Sequence, residues 1–337
     1  MDNPILVEVL RGSLVESRHR GAVAVVDADG GVALSLGDID RPVFPRSAVK
    51  AIQALPLIES GAADRFGLGP EELALACASH GGEPAHVACA ERMLRAAGLD
   101  VTALECGAHW PSHQASTIAL ARSGGTASAL HNNCSGKHAG FLCVACAMGV
   151  DHRHYVDRSH AVQREVRHAI ESLAGVTLGE DRCGTDGCSI PTYAVPLRNL
   201  AQAFARFGSG QGLVPERAKA AKRLCAAVAE KPFFVAGTGR FCTAVMAHFG
   251  VRAFVKTGAE GVFCGAFPDL GLGVAIKCDD GAARAAEVAM AAMIARFLPL
   301  SAGDEGALRQ WTHPVLRNWN GIEVGGLRPA GAILTET

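Results

Sequence analysis

Residues 4–11 are mostly apolar and read as a strand. In residues 21–38 two β-rich runs flank the turn signal Asp27-Ala-Asp-Gly-Gly31, which predicts a hairpin. Pro42 and Pro45 end the extended segment, and a helix is expected from near Arg46, stopped or kinked at Pro56. From about residue 60 to 230 the apolar spacing turns helical. Helices are expected over 71–77 behind Pro70, over 83–99 with a stop at Gly98, over 159–175 with a stop at Gly175, and over 214–230 with Pro215 at the start. The apolar run 141–150 has the look of a core helix. Past 230 the period changes again. Residues 240–250 suit a short helix, 251–267 and 271–280 read as strands, and 280–298 is an Ala-rich helix with Asp280 near its cap. Beyond 300 little periodicity remains.

Strands at both ends of the chain and helices between them predict an α/β protein. One mixed antiparallel sheet would be assembled from both chain ends and flanked by helices, with a helical lobe inserted. The expected sheet lobe takes about 1–45 and 231–337, and the helical lobe about 46–230, within a single two-lobed domain of residues 1–337 with the cleft between the lobes.

Composition narrows the classes. The 337 residues are 49% hydrophobic and 19% charged, as in a globular protein. Net charge is −1, so no basic face for nucleic acid is expected. The longest apolar stretches hold about ten residues against the ~20 that a membrane span needs, so no membrane partner is expected. No basic start leads into an apolar run, and a soluble, cytoplasmic protein is the expectation. In that compartment the 12 cysteines should be thiols, many of them small core residues. Only seven of the 32 basic residues are lysines. Plain positive charge is thus supplied by arginine, and each lysine raises the question of what arginine could not do there; one answer is to lose its proton when buried.

Five stretches carry candidate chemistry. Ser47-Ala-Val-Lys50 puts a hydroxyl and an amine at i and i+3, on one helical face, with the serine in a first turn that favours developing negative charge. A buried lysine can serve such a serine as base. Lys256-Thr-Gly258, between two expected strands, is the companion that S-x-x-K has in penicillin-recognising enzymes. Between them, Ser135-Gly-Lys137 fills the slot where those enzymes carry S-D-N, and no glutamate can be assigned as a deacylation base. Ser79-His80-Gly-Gly82 suggests a tight turn exposing a serine; a helix C-terminus stopped by glycine is the alternative. Asp186 and Cys188 share a glycine-punctuated loop that could hold a substrate ammonium, or could be a polar turn with a buried thiol. Cys143-x-x-Cys146 lies in an apolar helix without a second pair and reads as core. His109, His113, His152, His154 and His160 read as surface histidines.

Taken together, "PRSAVKAI", "CASHGGEP", "NNCSGKHAGFL", "GTDGCSIPTYAVPL" and the later Lys256 resemble the Rhizobium-type, or thermolabile, L-asparaginase family (asparaginase II) along nearly the whole chain. The resemblance implies a serine β-lactamase/glutaminase-like fold, hydrolysis of L-asparagine to L-aspartate and ammonia, and a homodimer. It also implies two Ser–Lys pairs, Ser47 with Lys50 and Ser79 with Lys256, Ser47 being the nucleophile and Lys50 its base. It places Asp186, His138, Arg46 and His80 about the substrate, with His138 one layer back. It further implies a zinc ion (Zn2+) held by Cys134, Lys137 and Cys188. A glutaminase or β-lactam hydrolase on the same fold, and a non-catalytic zinc or thiol sensor, are the alternatives.

Overall fold

The computed structural model describes residues 2–334. The chain forms two compact units, each from separated stretches. One takes the chain up to Ala48, Val195–Gly212 and the chain from Arg252 on; the other takes Val49–Ala194 and Leu213–Val251.

The first unit is built on an antiparallel sheet of β1 (Ile5–Arg11), β2 (Leu14–Asp27), β3 (Val32–Leu36), β4 (Phe254–Thr257), β5 (Val262–Phe267), β6 (Leu272–Cys278), β7 (Val315–Arg317) and β8 (Glu323–Pro329). Their order is β7-β8-β1-β2-β6-β5-β4, with β3 also paired to β2. The β2–β3 turn is closed by Asp27, whose carboxylate accepts from the N–H groups of Asp29 and Gly31. β2 begins before the expected hairpin. Its first half, Leu14–Arg20, is charged and largely exposed, so it lacks the apolar signature of the buried half that follows. Gly21 divides the halves, and a Cβ there would lie 2.3 Å from Lys277 O.

The tail beyond 300, expected to be irregular, instead forms a helix, Ala302–Thr312, and strands β7 and β8. Ser301 starts the helix by accepting from Asp304 N–H. β8 pairs with β1, and a Cβ on Gly325 would stand 1.9 Å from Leu10 O. The glycines that hide the period of this strand are what its close pairing requires.

The helix Leu197–Ser209 packs on the same sheet, close enough that a Cβ on Gly273 would meet Ala201 O at 1.9 Å. Residues 195–212 therefore join the sheet unit, although they fall within the stretch expected as the helical lobe. Residues 231–251, expected in the sheet lobe, instead continue with 213–230 in the helical unit. The Ala-rich helix Ala283–Phe297 packs on β1, β5, β6 and β8, and Asp280 accepts from Ala282 N–H just ahead of it.

The second unit is helical apart from a short hairpin, Cys183–Thr185 with Pro191–Tyr193. Its centre is the helix Ser135–Met148, buried from Ser135 to Ala145. Helices 55–59, 62–65, 70–76, 84–96 and 161–174 surround it, which is why its sequence from Ala139 on is apolar all round. A Cβ on Gly136 would stand 2.4 Å from Leu75 Cγ, so the helix can seat its first turn against 70–76 only with glycine there.

Candidate active site

In the sheet unit, Arg46 and Ser47 open a 3-10 turn, Arg46–Val49. Arg46 has φ 51°, a left-handed conformation uncommon for a side-chain-bearing residue. Lys256 is buried on β4 and donates to Thr257 O at 2.8 Å. A Cβ on Gly258 would lie 2.8 Å from Pro45 O, so the Lys-Thr-Gly run sits against the segment that leads into Ser47.

The helical unit gathers most of the other expected residues. Lys50, buried, donates to Ala78 O at 2.6 Å, Ser79 Oγ at 3.0 Å and Asn133 O at 3.3 Å. These are as many acceptors as an ammonium has hydrogens. Lys50, expected opposite Ser47, thus bonds Ser79. The Ser79 N–H donates to Val235 O at 2.9 Å, so it is not free to stabilise an oxyanion.

The loop that supplies Asn133 O is fixed by its own side chains. Asn132 donates to Cys106 O and Gly107 O and accepts from Cys134 N–H. Asn133 N–H donates to His109 Nε2 at 2.9 Å, and His109 Nδ1 donates to Trp110 O. His109, expected as a surface histidine, is therefore a support of this loop.

Cys134, Lys137 and Cys188 converge. Lys137 Nζ donates to Cys188 Sγ at 3.0 Å, and the two thiols hydrogen-bond to each other. The bond from Cys188 holds the Cys134 thiol well below its ordinary value, against burial and with help from Lys50 and Lys137. Cys188 is pushed up by the same bond and by burial. The Cys134 thiol also donates to Asn133 Oδ1 at 2.9 Å. Burial opposes the charge on Lys137, but the two sulfurs and Asp186 outweigh it and raise its value. Asp186 sits in a tight turn in which its own carbonyl accepts from Ser189 N–H, with Ser189 at φ 76°. Two sulfurs and one nitrogen meet here, a donor set that suits zinc if Lys137 gives up its proton. Among the described residues no three His, Cys, Asp or Glu side chains gather to hold a metal, so Lys137 would have to be a ligand.

His138 and His80 are both buried and neutral. Burial, then Lys137 and Lys50, hold His138 well below its ordinary value. The Tyr155 hydroxyl accepts from Glu105 N–H at 2.9 Å and donates to His138 Nδ1 at 2.6 Å. The His138 hydrogen is then on Nε2, which has no partner among the described residues. His80 is held low by burial, then by His86 and Lys50. Its Nε2 bonds Ser135 Oγ at 3.0 Å and its Nδ1 accepts from Gly82 N–H at 3.1 Å, so both nitrogens are engaged within the protein. Sequence reasoning missed Asn132, Asn133, Ser135 and Tyr155 as supports. Tyr155 had one signal: it is one of two tyrosines in the chain and stands among charged residues, yet is fully buried.

No curated protein sequence matches this chain. Among solved structures, a β-lactamase from Mycobacterium bovis aligns at 13% identity and TM-score 0.39, over 82% of this chain and 94% of that one. Mglu, solved in its native form in 4.3 M NaCl, aligns at 15% identity and TM-score 0.39, over 85% of this chain. The chain spans 63% of the length of Mglu. Neither likeness is near enough to say anything of function. The model of the L-asparaginase II family matches residues 7–329, nearly the whole chain and every residue named above as a site candidate. The chain belongs to the L-asparaginase II family and is an asparaginase-type amidohydrolase.

Proposed function

We propose that the protein hydrolyses L-asparagine to L-aspartate and ammonia through an acyl-enzyme. The observation that carries this is the hydrogen bond from buried Lys50 to Ser79, with Lys50 anchored on two backbone carbonyls. It is a serine–lysine arrangement in a site that the family assignment makes an amidohydrolase.

Ser47 is the proposed nucleophile. It lies one turn ahead of Lys50 along the chain and directly after the strained Arg46. Its hydroxyl loses a proton to the Lys50 amine as oxygen attacks the side-chain amide carbon. The Ser47 backbone N–H is a candidate donor to the oxyanion. Collapse of the tetrahedral intermediate breaks the C–N bond, and the proton held by Lys50 passes to the leaving ammonia, with the Ser79 hydroxyl as relay. Water, deprotonated by the same amine, then releases aspartate. Asp186 offers the carboxylate for the substrate ammonium. The resemblance adds Lys256 and Arg46 to the residues expected to serve the substrate.

A zinc ion, implied by the resemblance, would be held by Cys134, Cys188 and Lys137. When bound it would supply positive charge and an open coordination position for a substrate oxygen. Metal content decides this apart from activity: wild type should hold about one zinc per chain and Cys188→Ser none, and equal contents would end the zinc proposal.

The test of the reaction is ammonia release from asparagine, glutamine and a chromogenic cephalosporin in parallel. Asparagine should be preferred; a preference for either rival substrate rejects the proposal. Mass spectrometry of the quenched reaction should place an aspartyl adduct on Ser47. An adduct on Ser79 would make that residue, with Lys50 as its base, the nucleophile.

A further inference from the structure

We propose that His80 is a positioning residue, a neutral imidazole fixed as the Nε2–H tautomer that holds the Ser79 peptide in register with the loop supplying Asn133 O. It presupposes the amidohydrolase activity proposed above.

The tautomer follows from the partners. Gly82 N–H is a donor only, so His80 Nδ1 must accept, and the hydrogen sits on Nε2 facing Ser135 Oγ. A charged ring would lose the Gly82 bond and would stand buried near Lys50, His86, His109 and His131. The ring therefore has one usable state. It cannot donate to a substrate, because its one hydrogen is already committed.

What the ring connects is specific. On one side are the Ala78 carbonyl and the Ser79 hydroxyl, two of the three acceptors of Lys50. On the other is Ser135, two residues after Asn133, which gives the third. The two sides are more than 50 residues apart in sequence, and the His80–Ser135 bond ties them beside the amine they share.

His80 is itself gripped. His86 stacks on it with centroids 4.9 Å apart at 19°, and Phe233 stacks on His86 at 4.6 Å and 14°. His86 accepts from Glu83 N–H at Nδ1 and donates from Nε2 to Phe233 O, so its tautomer is fixed as well. The segment 232–238 is strapped down at three points: Phe233 O by His86, Val235 O by Ser79 N–H, and Thr238 by the Glu83 carboxylate, which accepts from both its N–H and its hydroxyl. Gly237, at φ 104°, lets the strap pass, since a Cβ there would lie 2.3 Å from Glu83 Oε1. The stack leaves the ring no room to rotate without dragging the strap.

Two substitutions separate the ring's two bonds. His80→Gln can place an amide N–H near the Nε2 position; His80→Asn can accept from Gly82 N–H but cannot reach Ser135. With asparagine, His80→Asn should lower kcat by about 10- to 100-fold, the scale of a misplaced catalytic group, with KM changed less than about twofold. His80→Gln should recover most of kcat. Ser135→Ala should resemble His80→Asn, and the double variant should be no worse than the worse single one. Full kcat in a folded His80→Asn, or losses that multiply in the double variant, overturns the proposal. Nitrogen NMR of the wild-type ring is independent of turnover: it should show neutral His80 with the hydrogen on Nε2 at pH 7, and an Nδ1–H or charged ring also overturns it. A wild type that releases no ammonia from asparagine, with the expected tautomer present, would count against the substrate and not against the positioning role.

Discussion

Lys50 shows how much a single side chain is asked to do. Its amine bonds two carbonyls and one hydroxyl in a buried place, so replacing it removes a base and strands acceptors at once. Lys50→Met should fold but lose about 10²- to 10⁴-fold in kcat, the range general-base catalysis supplies. Lys50→Arg should be no better, because a guanidinium keeps its proton and cannot accept one. Either variant retaining a tenth of wild-type turnover would remove Lys50 from the mechanism. Tyr155 gives a contrasting prediction, in stability. Its hydroxyl links Glu105 N–H to His138 Nδ1, and Tyr155→Phe leaves both without that partner. A cost of about 1–3 kcal/mol is expected in urea unfolding, and an unchanged midpoint would show that the hydroxyl contributes nothing net.

At the scale of elements, two helix starts decide the geometry. The first turn of 135–148 presses on Leu75, so Gly136→Ala should force it outward. The expected cost is about 1–3 kcal/mol, as for overpacking elsewhere. Turnover should fall as well, since Asn133 O, Cys134 and Lys137 ride on that turn. A crystal structure of the variant with the helix unmoved would refute this. At the start of the helix Pro84–Ala96, burial pushes the Glu83 carboxylate up, but its two bonds from Thr238 prevail and hold it below the ordinary glutamate value. The unfolded chain then takes up the proton first. The stability this group adds is complete above about pH 4.3 and is lost as pH falls through the lower folded value. The melting-temperature gap between wild type and Glu83→Gln should therefore narrow below about pH 4.3, and a gap that widens there would contradict the assignment. Several elements were legible in the sequence because a local signal marked them: the Asp27–Gly31 turn, the Gly98 and Gly175 stops, and the apolar core helix after Cys134. The Lys50–Ser79 pairing was not, because 29 residues separate its partners and no local period encodes which lysine meets which serine. The site's residue types were readable, whereas the backbone carbonyls that hold Lys50 are invisible in any sequence, since every residue has one.

At the scale of the whole chain, each unit is made from stretches far apart in sequence, and the sheet shows what that demands. β1 forms near the start of the chain, yet one of its neighbours, β8, comes from residues 323–329. Val7 and Val9 on β1 and Leu327 on β8 are buried. β7 then adds to β8, so everything beyond residue 312 in the sheet depends on the β1–β8 ladder. The tightest point in that ladder is Gly325, opposite Arg11, where a Cβ would be 1.9 Å from Leu10 O. No rotamer relieves a clash of Cβ with backbone, so strands must separate or slip. Slippage by one residue would turn Leu327 out of the core, which makes separation the cheaper response. Gly325→Ala should thus lose β8 and β7 together and leave β1 with an open edge, a template for association between chains. The expected signs are faster hydrogen exchange at β1 and β8, a lower melting temperature and concentration-dependent aggregation. Exchange at β4, β5 and β6 should stay near wild type, because their pairing passes through β2 and not through β1. Uniform loss of protection across all eight strands would mean that the sheet unfolds as one block and that the ladder has no local stability of its own.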